Sequence, residues 1–235
     1  MIFDAFIKDL LFRTLTDLEN RFEADIVFYM GDVDDETFRM FRDLTWELRG
    51  DEESRARLAI FLNTDGGSAE IVERVVDIIR RYYEEVYFVV PDFAMSAGTI
   101  FCMSGDKIFM DYSSSLGPID PQVWNGKQWV PALGYLNKFE ELMKKANAGV
   151  MTPGEGLIFT SQDLALLARC RQAKELTVTL LKNWLVEYKF KDWDLHETNP
   201  ALLGTPVTIE QKEDRAREIA DQLGNNERWH SHAGD

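Results

Sequence analysis

Leu58-Ala59-Ile60-Phe61-Leu62-Asn63-Thr64-Asp65-Gly66-Gly67-Ser68 is the stretch that decides how this chain folds. Its apolar run shows no polar alternation, which reads as a strand buried on both faces of a parallel, helix-covered sheet. Gly66-Gly67 turns the chain, and Ser68 opens a helical stretch to Tyr83. There Ile71, Val72, Val75, Val76, Ile78 and Ile79 face one way, and Glu70, Glu73, Arg74 and Arg80 the other. The pattern then repeats. Val86-Tyr87-Phe88-Val89-Val90 is a second apolar run, and Ala94-Met95-Ser96-Ala97-Gly98-Thr99 follows it into a helix ending near Ser104. Neighbouring parallel strands bring the glycine turn and the serine turn to the same end of one sheet.

Working outward, the spacing of Ile2, Phe3, Phe6, Ile7, Leu10 and Leu11 predicts a helix from Ile2 to Phe22, followed by a strand Asp25–Met30. Asp34-Asp35-Glu36 starts an acidic, capped helix to about Leu48. Lys107–Met110 is a further strand, Asn125-Gly126 a hairpin turn, and Pro131–Ala148 a helix. Met151–Gly156 reads as a loop, Ser161–Tyr188 as one long helix with an N-cap serine, and Thr208–Leu223 as a capped helix. The expected division is a core at 1–150 and a helical C-terminal extension at 151–235, with a soft boundary.

Composition bounds the function. A net charge of −15 opposes nucleic-acid binding, which depends on Lys and Arg neutralising phosphates. Cys102 and Cys170 cannot make a disulfide framework, so a reducing, cytoplasmic compartment is expected. The first eleven residues are too short and too charged to span a membrane and lack a signal-peptide pattern, so membrane association is not indicated. Their apolar stripe is expected to pack on the domain or on a sister subunit. No phosphate-binding loop is present, and neither a cofactor nor a metal is expected. His230 and His232, at i and i+2, have no nearby acidic or thiol ligand.

Taken singly, Gly66-Gly67 is a tight turn and Ser96 a helix N-cap. Taken together they supply a nucleophile and preorganised N–H donors for an oxyanion, as acyl transfer requires. Residues 58–121 resemble the core of the ClpP/crotonase superfamily of serine peptidases. They are most similar to the signal-peptide-peptidase-A class and its serine dehydrogenase proteinase branch. The likeness rests on Asn63-Thr64-Asp65-Gly66-Gly67, Met95-Ser96-Ala97-Gly98-Thr99 and Ser115-Leu116-Gly117-Pro118-Ile119-Asp120-Pro121-Gln122. It implies an α/β fold of repeated β-β-α/βα units with helices covering a mainly parallel sheet. It further implies Ser96 as nucleophile and an oxyanion hole from Gly67 and Ala97, with Gly66 shaping the turn. An extended peptide or unfolded protein would then lie along Ser68 and Leu116-Gly117-Pro118, adding a strand.

ClpP-type members carry a histidine about twenty-five residues after the serine, and this chain has none there. The signal-peptide-peptidase class uses a lysine, which acts as a base only when desolvated. Lys138, 42 positions after Ser96, borders the apolar stripe Tyr135, Phe139, Leu142, Ala146 and is the preferred base. Lys145 shares that border, Lys144 points to the acidic side, and His196 could swing in. Related peptidases form closed oligomers, and the apolar breadth of Ser161–Tyr188 suits a homo-oligomer. Two alternatives remain open at this point: a crotonase-like acyl-CoA enzyme, and a catalytically inactive ClpP-like assembly or peptide-binding module.

Overall fold

The continuous apolar runs pair side by side, as burial on both faces requires. In the computed structural model, which describes residues 2–50 and 55–224, strands β1 (Asp25–Met30), β2 (Arg57–Asn63), β3 (Glu85–Val90) and β5 (Lys107–Met110) form a parallel sheet in the order β1-β2-β3-β5. The helices α2 (Asp35–Arg49), α3 (Ala69–Tyr82) and α4 (Ala97–Met103) connect them. Their apolar faces meet Leu58, Ile60, Leu62, Val86, Phe88 and Val90 in the main core. The opposite face of the sheet carries Ile26, Ala59 and Tyr87, covered by Leu15, Leu18 and Phe22 of α1 (Ile2–Phe22). Two short strands, β4 (Phe93–Ala94) and β6 (Ser115–Leu116), pair in parallel just beyond the sheet's carboxyl end, and Thr64 bridges to Ala94. The hairpin expected at Asn125-Gly126 joins β7 (Gln122–Trp124) to β8 (Trp129–Pro131).

The C-terminal half departs from expectation in two ways. The expected loop Met151–Gly156 is non-helical only at its first two residues: Thr152 and Glu155 form a capping box, Pro153 sits in the first turn, and α6 runs Pro153–Thr160. The long helix accordingly starts later. Asp163, not Ser161, caps α7 (Leu164–Trp184), and its last turn widens into a π-helical turn at Leu185–Lys189. The helices after residue 150 pack on the core. Leu180, Leu181, Trp184 and Leu185, with Ala216 and Ala220 of α8 (Ile209–Leu223), lie in the same buried cluster as the sheet. Leu166, Leu167 and Cys170 pack with α5 (Ala132–Asn147) through Leu136. Much of the apolar face expected to mediate assembly is therefore buried within the chain.

Below the sheet, at its amino end, Asp106 pairs with Arg80 at 2.8 Å and with Lys191 at 2.5 Å and accepts the Val86 N–H at 2.8 Å. Burial alone would raise this carboxyl, but Lys191, the Val86 N–H and Arg80 together hold it below the usual range. The guanidinium of Arg80 also lies 3.7 Å from the centre of the Tyr188 ring, tying the π-helical turn to α3.

Candidate active site

Ser96 occupies the junction of β4 and α4 with φ 49° and ψ −114°, a backbone conformation that costs a non-glycine residue about 1–3 kcal/mol. Its side chain makes no capping bond, so the N-cap role does not account for it. The hydroxyl is half-buried and donates to the Asp120 carbonyl at 3.5 Å. The turn is locked from beneath. Met95 N–H donates to Thr64 O at 2.9 Å and Gly98 N–H to Met95 O at 2.7 Å, while Thr99 Oγ1 donates to the Ala94 and Gly117 carbonyls. A strained serine at a strand-to-helix turn, with its hydroxyl outside the local hydrogen-bond pattern, is the geometry of an exposed nucleophile.

The glycine turn lies directly against it. A methyl group added to Gly66 would lie 2.8 Å from the Met95 oxygen, 2.8 Å from Ser96 Cβ and 3.3 Å from the Ala97 nitrogen. Gly66 has φ +113° and Gly67 φ +146°, and Val33 pins the turn: its N–H donates to Gly66 O at 2.7 Å and its carbonyl accepts the Ser68 N–H at 2.9 Å. Because Gly66 O and Ser68 N face Val33, Gly67 N–H faces the other way. Among the described residues neither Gly67 N–H nor Ala97 N–H has an acceptor. Two unpaired donors beside a serine hydroxyl are what an oxyanion hole needs. Ser68 is engaged elsewhere, capping α3 through Ile71 N–H and hydrogen-bonding Glu70 at 2.7 Å. Leu116 pairs with Ala94, and Gly117 packs on Met95.

The lysines and histidines distribute less simply. Lys138 lines a cleft of about 760 Å³ with Ile119, Pro121 and Leu133, and Asp120 Oδ1 caps this α5 end through Leu133 N–H at 3.1 Å. Lys138 is 60% exposed and pairs with Glu141 at 2.8 Å. Lys145 pairs with Glu155 at 2.6 Å and Glu141 at 2.9 Å, and these hydrogen bonds raise its ammonium above the ordinary range. That is opposite to what a base requires. Lys144 lines the same cleft. His196 is buried, stacked edge-on with Trp193 and 3.3 Å from Gln211 near the start of α8. The far end of α8 reaches the site, where Leu223 O accepts the Ile119 N–H at 3.0 Å. At 1.5 Å per helical residue, roughly 18 Å of α8 separates Gln211 from Leu223, so His196 stands away from Ser96. His230 and His232 lie outside the described residues.

The desolvated lysine is one that sequence reasoning missed. Burial lowers Lys189 to about 8. It lies beside Cys102 and Asp106, about 9 Å of helix below Ser96, at the wrong end of α4 to serve the serine. Its sequence signal is only its place after the apolar stretch of the long helix, and in the structure it closes the π-helical turn Leu185–Lys189. Between the folded value and the ordinary 10.5 the unfolded chain binds the extra proton, so stability rises with pH from about 8 to 10.5. Lys189→Met is expected to raise stability by about 1–3 kcal/mol at pH 7 and to flatten that rise, as measured by urea unfolding at pH 7 and pH 10.

A strained serine and two unpaired N–H donors thus lie together at the carboxyl end of a parallel sheet. The chain belongs to the ClpP-like SDH-type serine proteinase family, whose model matches residues 48–220. It is 34% identical over 64 residues to uncharacterized protein MJ0137 of Methanocaldococcus jannaschii, covering 27% of this chain and 22% of that one. The chain thus spans about a fifth of the length of that curated relative. A mutant of the 1510-N membrane-bound stomatin-specific protease in complex with a substrate peptide is similar over 83% of this chain and 96% of its own, with 16% identity and a TM-score of 0.40. The 1510-N membrane protease specific for a stomatin homolog from Pyrococcus horikoshii matches 39% and 47% of the two chains, with 25% identity and a TM-score of 0.35. Among the described residues no helix is long and apolar enough to cross a membrane, and no group of three or more His, Cys, Asp or Glu is placed to hold a metal.

Proposed function

We propose that this chain is a serine endopeptidase that cleaves an extended peptide or unfolded protein through an acyl-enzyme. Ser96 Oγ attacks the scissile carbonyl, and the Gly67 and Ala97 N–H groups hold the oxyanion. The observation that carries this reading is the uncapped, strained Ser96 packed against the glycine turn and its two unpaired donors. Collapse of the tetrahedral adduct expels the amine, and water then hydrolyses the ester on Ser96. The peptide runs beside Gly66-Gly67-Ser68 and the Leu116-Gly117-Pro118 segment as an added strand. Backbone groups, not the Ser68 hydroxyl, then make the contacts.

Lys138 is the proposed base, with Lys145 second. Lys138 stands on the helix that Asp120 caps, and the same Asp120 accepts from Ser96. It must leave Glu141, and a substrate filling the cleft supplies the desolvation a neutral lysine needs. Lys138→Met is expected to lower kcat by about 10²–10⁴-fold with KM little changed, and Lys145→Met to cost less than tenfold. Full turnover in Lys138→Met, read as hydrolysis of a fluorescent unfolded protein, would move the base elsewhere. The chain is further proposed to work as a homo-oligomer in a reducing compartment.

A further inference from the structure

We infer that the first half of α1 is a docking element for a second copy of this chain, which it engages on the bare face of the sheet. This inference rests on the homo-oligomer reading and specifies its surface. Leu15, Leu18 and Phe22 of α1 pack on the sheet, but every residue from Phe6 to Thr14 is exposed. Phe6 is 64% exposed, Leu10 54%, Leu11 63% and Phe12 70%. At 3.6 residues per turn Ile7 and Leu11 continue the stripe of Leu15, Leu18 and Phe22, with Leu10 and Phe6 beside them. One apolar face therefore runs from Phe6 to Phe22, and among the described residues only its second half has a partner.

The sheet has the matching deficit. Phe28, Phe61, Val89 and Phe109 stand opposite one another across β1, β2, β3 and β5. Phe22 reaches the middle of this row, its ring 5.9 Å from Phe61 and 5.5 Å from Phe109. The β1 side stays open: Phe28 is 59% exposed and Met30, two residues further on the same face, 81%, while Phe109 under Phe22 keeps 40%. Four strands spaced about 4.8 Å apart make this row roughly 14 Å wide. The nine residues from Phe6 to Thr14 are about 13 Å long as helix, so the exposed half-helix is as long as the row, whose β1 side is the open part.

Area and charge select the occupant. With aromatic side chains of roughly 150–250 Å² each, the helix stripe and the open row together present on the order of 1,000 Å². One partner contributes about 800 Å² to a stable interface. Helix and sheet are two complementary patches on one chain, so a two-fold pair satisfies both at once and leaves neither open. An anionic bilayer is disfavoured by the net charge of −15 and by Asp9 and Asp17 on the helix. Met30, two residues beyond the row along β1, pairs with Asn63 at the start of the glycine turn. Docking would therefore brace the strand ends that carry the oxyanion donors.

The test compares the wild-type chain with Leu11→Glu and Met30→Glu by light scattering at equal concentration, with thermal melts to show that each variant folds. Both positions are exposed. The wild type is expected to be a dimer or a multiple of one, and each variant to dissociate at least tenfold more readily. Mixing the two variants restores one of the two contacts, the unaltered helix of Met30→Glu on the unaltered sheet of Leu11→Glu, so the mixture is expected to pair more readily than either variant alone. Leu11→Cys mixed with Met30→Cys is expected to cross-link between chains under oxidation. A monomeric wild type would overturn the homo-oligomer reading itself. An oligomer indifferent to both substitutions would overturn only this surface. A monomer that binds neutral phosphatidylcholine vesicles through Leu11 and Met30 would assign the face to lipid and overturn the proposal.

Discussion

Ser96→Ala is expected to abolish labelling by a fluorophosphonate and to lower peptide hydrolysis by about 10⁴–10⁶-fold, leaving only what binding and the oxyanion donors provide. The protein should remain folded, because the hydroxyl makes only a 3.5 Å bond to Asp120 O and caps nothing. A companion substitution isolates the backbone. With φ 49° the position strains any L side chain, so Ser96→Gly should be equally inactive yet more stable by about 1–3 kcal/mol. Calorimetry and probe labelling on the two variants read these effects separately. Unchanged hydrolysis in Ser96→Ala would remove this serine from the chemistry altogether.

Gly67→Ala carries the second large effect, on stability and activity together. The glycine has φ +146°, and an added methyl would meet the backbone of Val33. Val33 cannot yield without losing its bonds to Gly66 O and Ser68 N–H. Loss of one oxyanion donor costs about 10²–10³-fold in kcat. Forcing this backbone should add about 2–4 kcal/mol of destabilisation. Gly154→Ala on α6 is the control, since an added methyl there meets nothing within 4 Å. Its activity and urea midpoint should match or slightly exceed those of the wild type. A Gly67→Ala enzyme with wild-type kcat would show that the oxyanion lies elsewhere.

Much of this architecture was legible because its signals are local. Continuous apolar runs at Leu58–Leu62 and Val86–Val90 announce buried parallel strands, and Gly66-Gly67 and Ser96 follow them at once. The limits of β1, α3, α4, α5 and α8 fall within a residue or so of the sequence reading. The errors occur where two local signals compete. Thr152-Pro153 is both a turn signature and a helix start, and the Glu155 side chain closing back on Thr152 makes it the latter. Ser161 and Asp163 are both plausible caps, and only Asp163 receives the backbone N–H groups of α7.

The proposed base was less legible than the proposed nucleophile, for a physical reason. A nucleophile turn is made by consecutive residues whose backbone angles fix the side chain. A lysine's role depends instead on whatever packs around a long, flexible stem. Helical spacing put Lys138 and Lys145 at the edge of an apolar stripe, but Glu141 and Glu155 hold both ammonium groups. Meanwhile Lys189, which no spacing singled out, is the lysine that burial brings to about 8.

The sequence by itself determined the parallel sheet, the two turns and the serine between them, because hydrophobic periodicity and glycine act over a few residues. Only the tertiary structure decided that the C-terminal helices close the same core, that the Ser96 hydroxyl is released from capping, and that Phe6–Thr14 of α1 and the Phe28 and Met30 side of the sheet lie exposed. Those outcomes depend on which distant surfaces meet, and burial is a property of the meeting rather than of either partner alone.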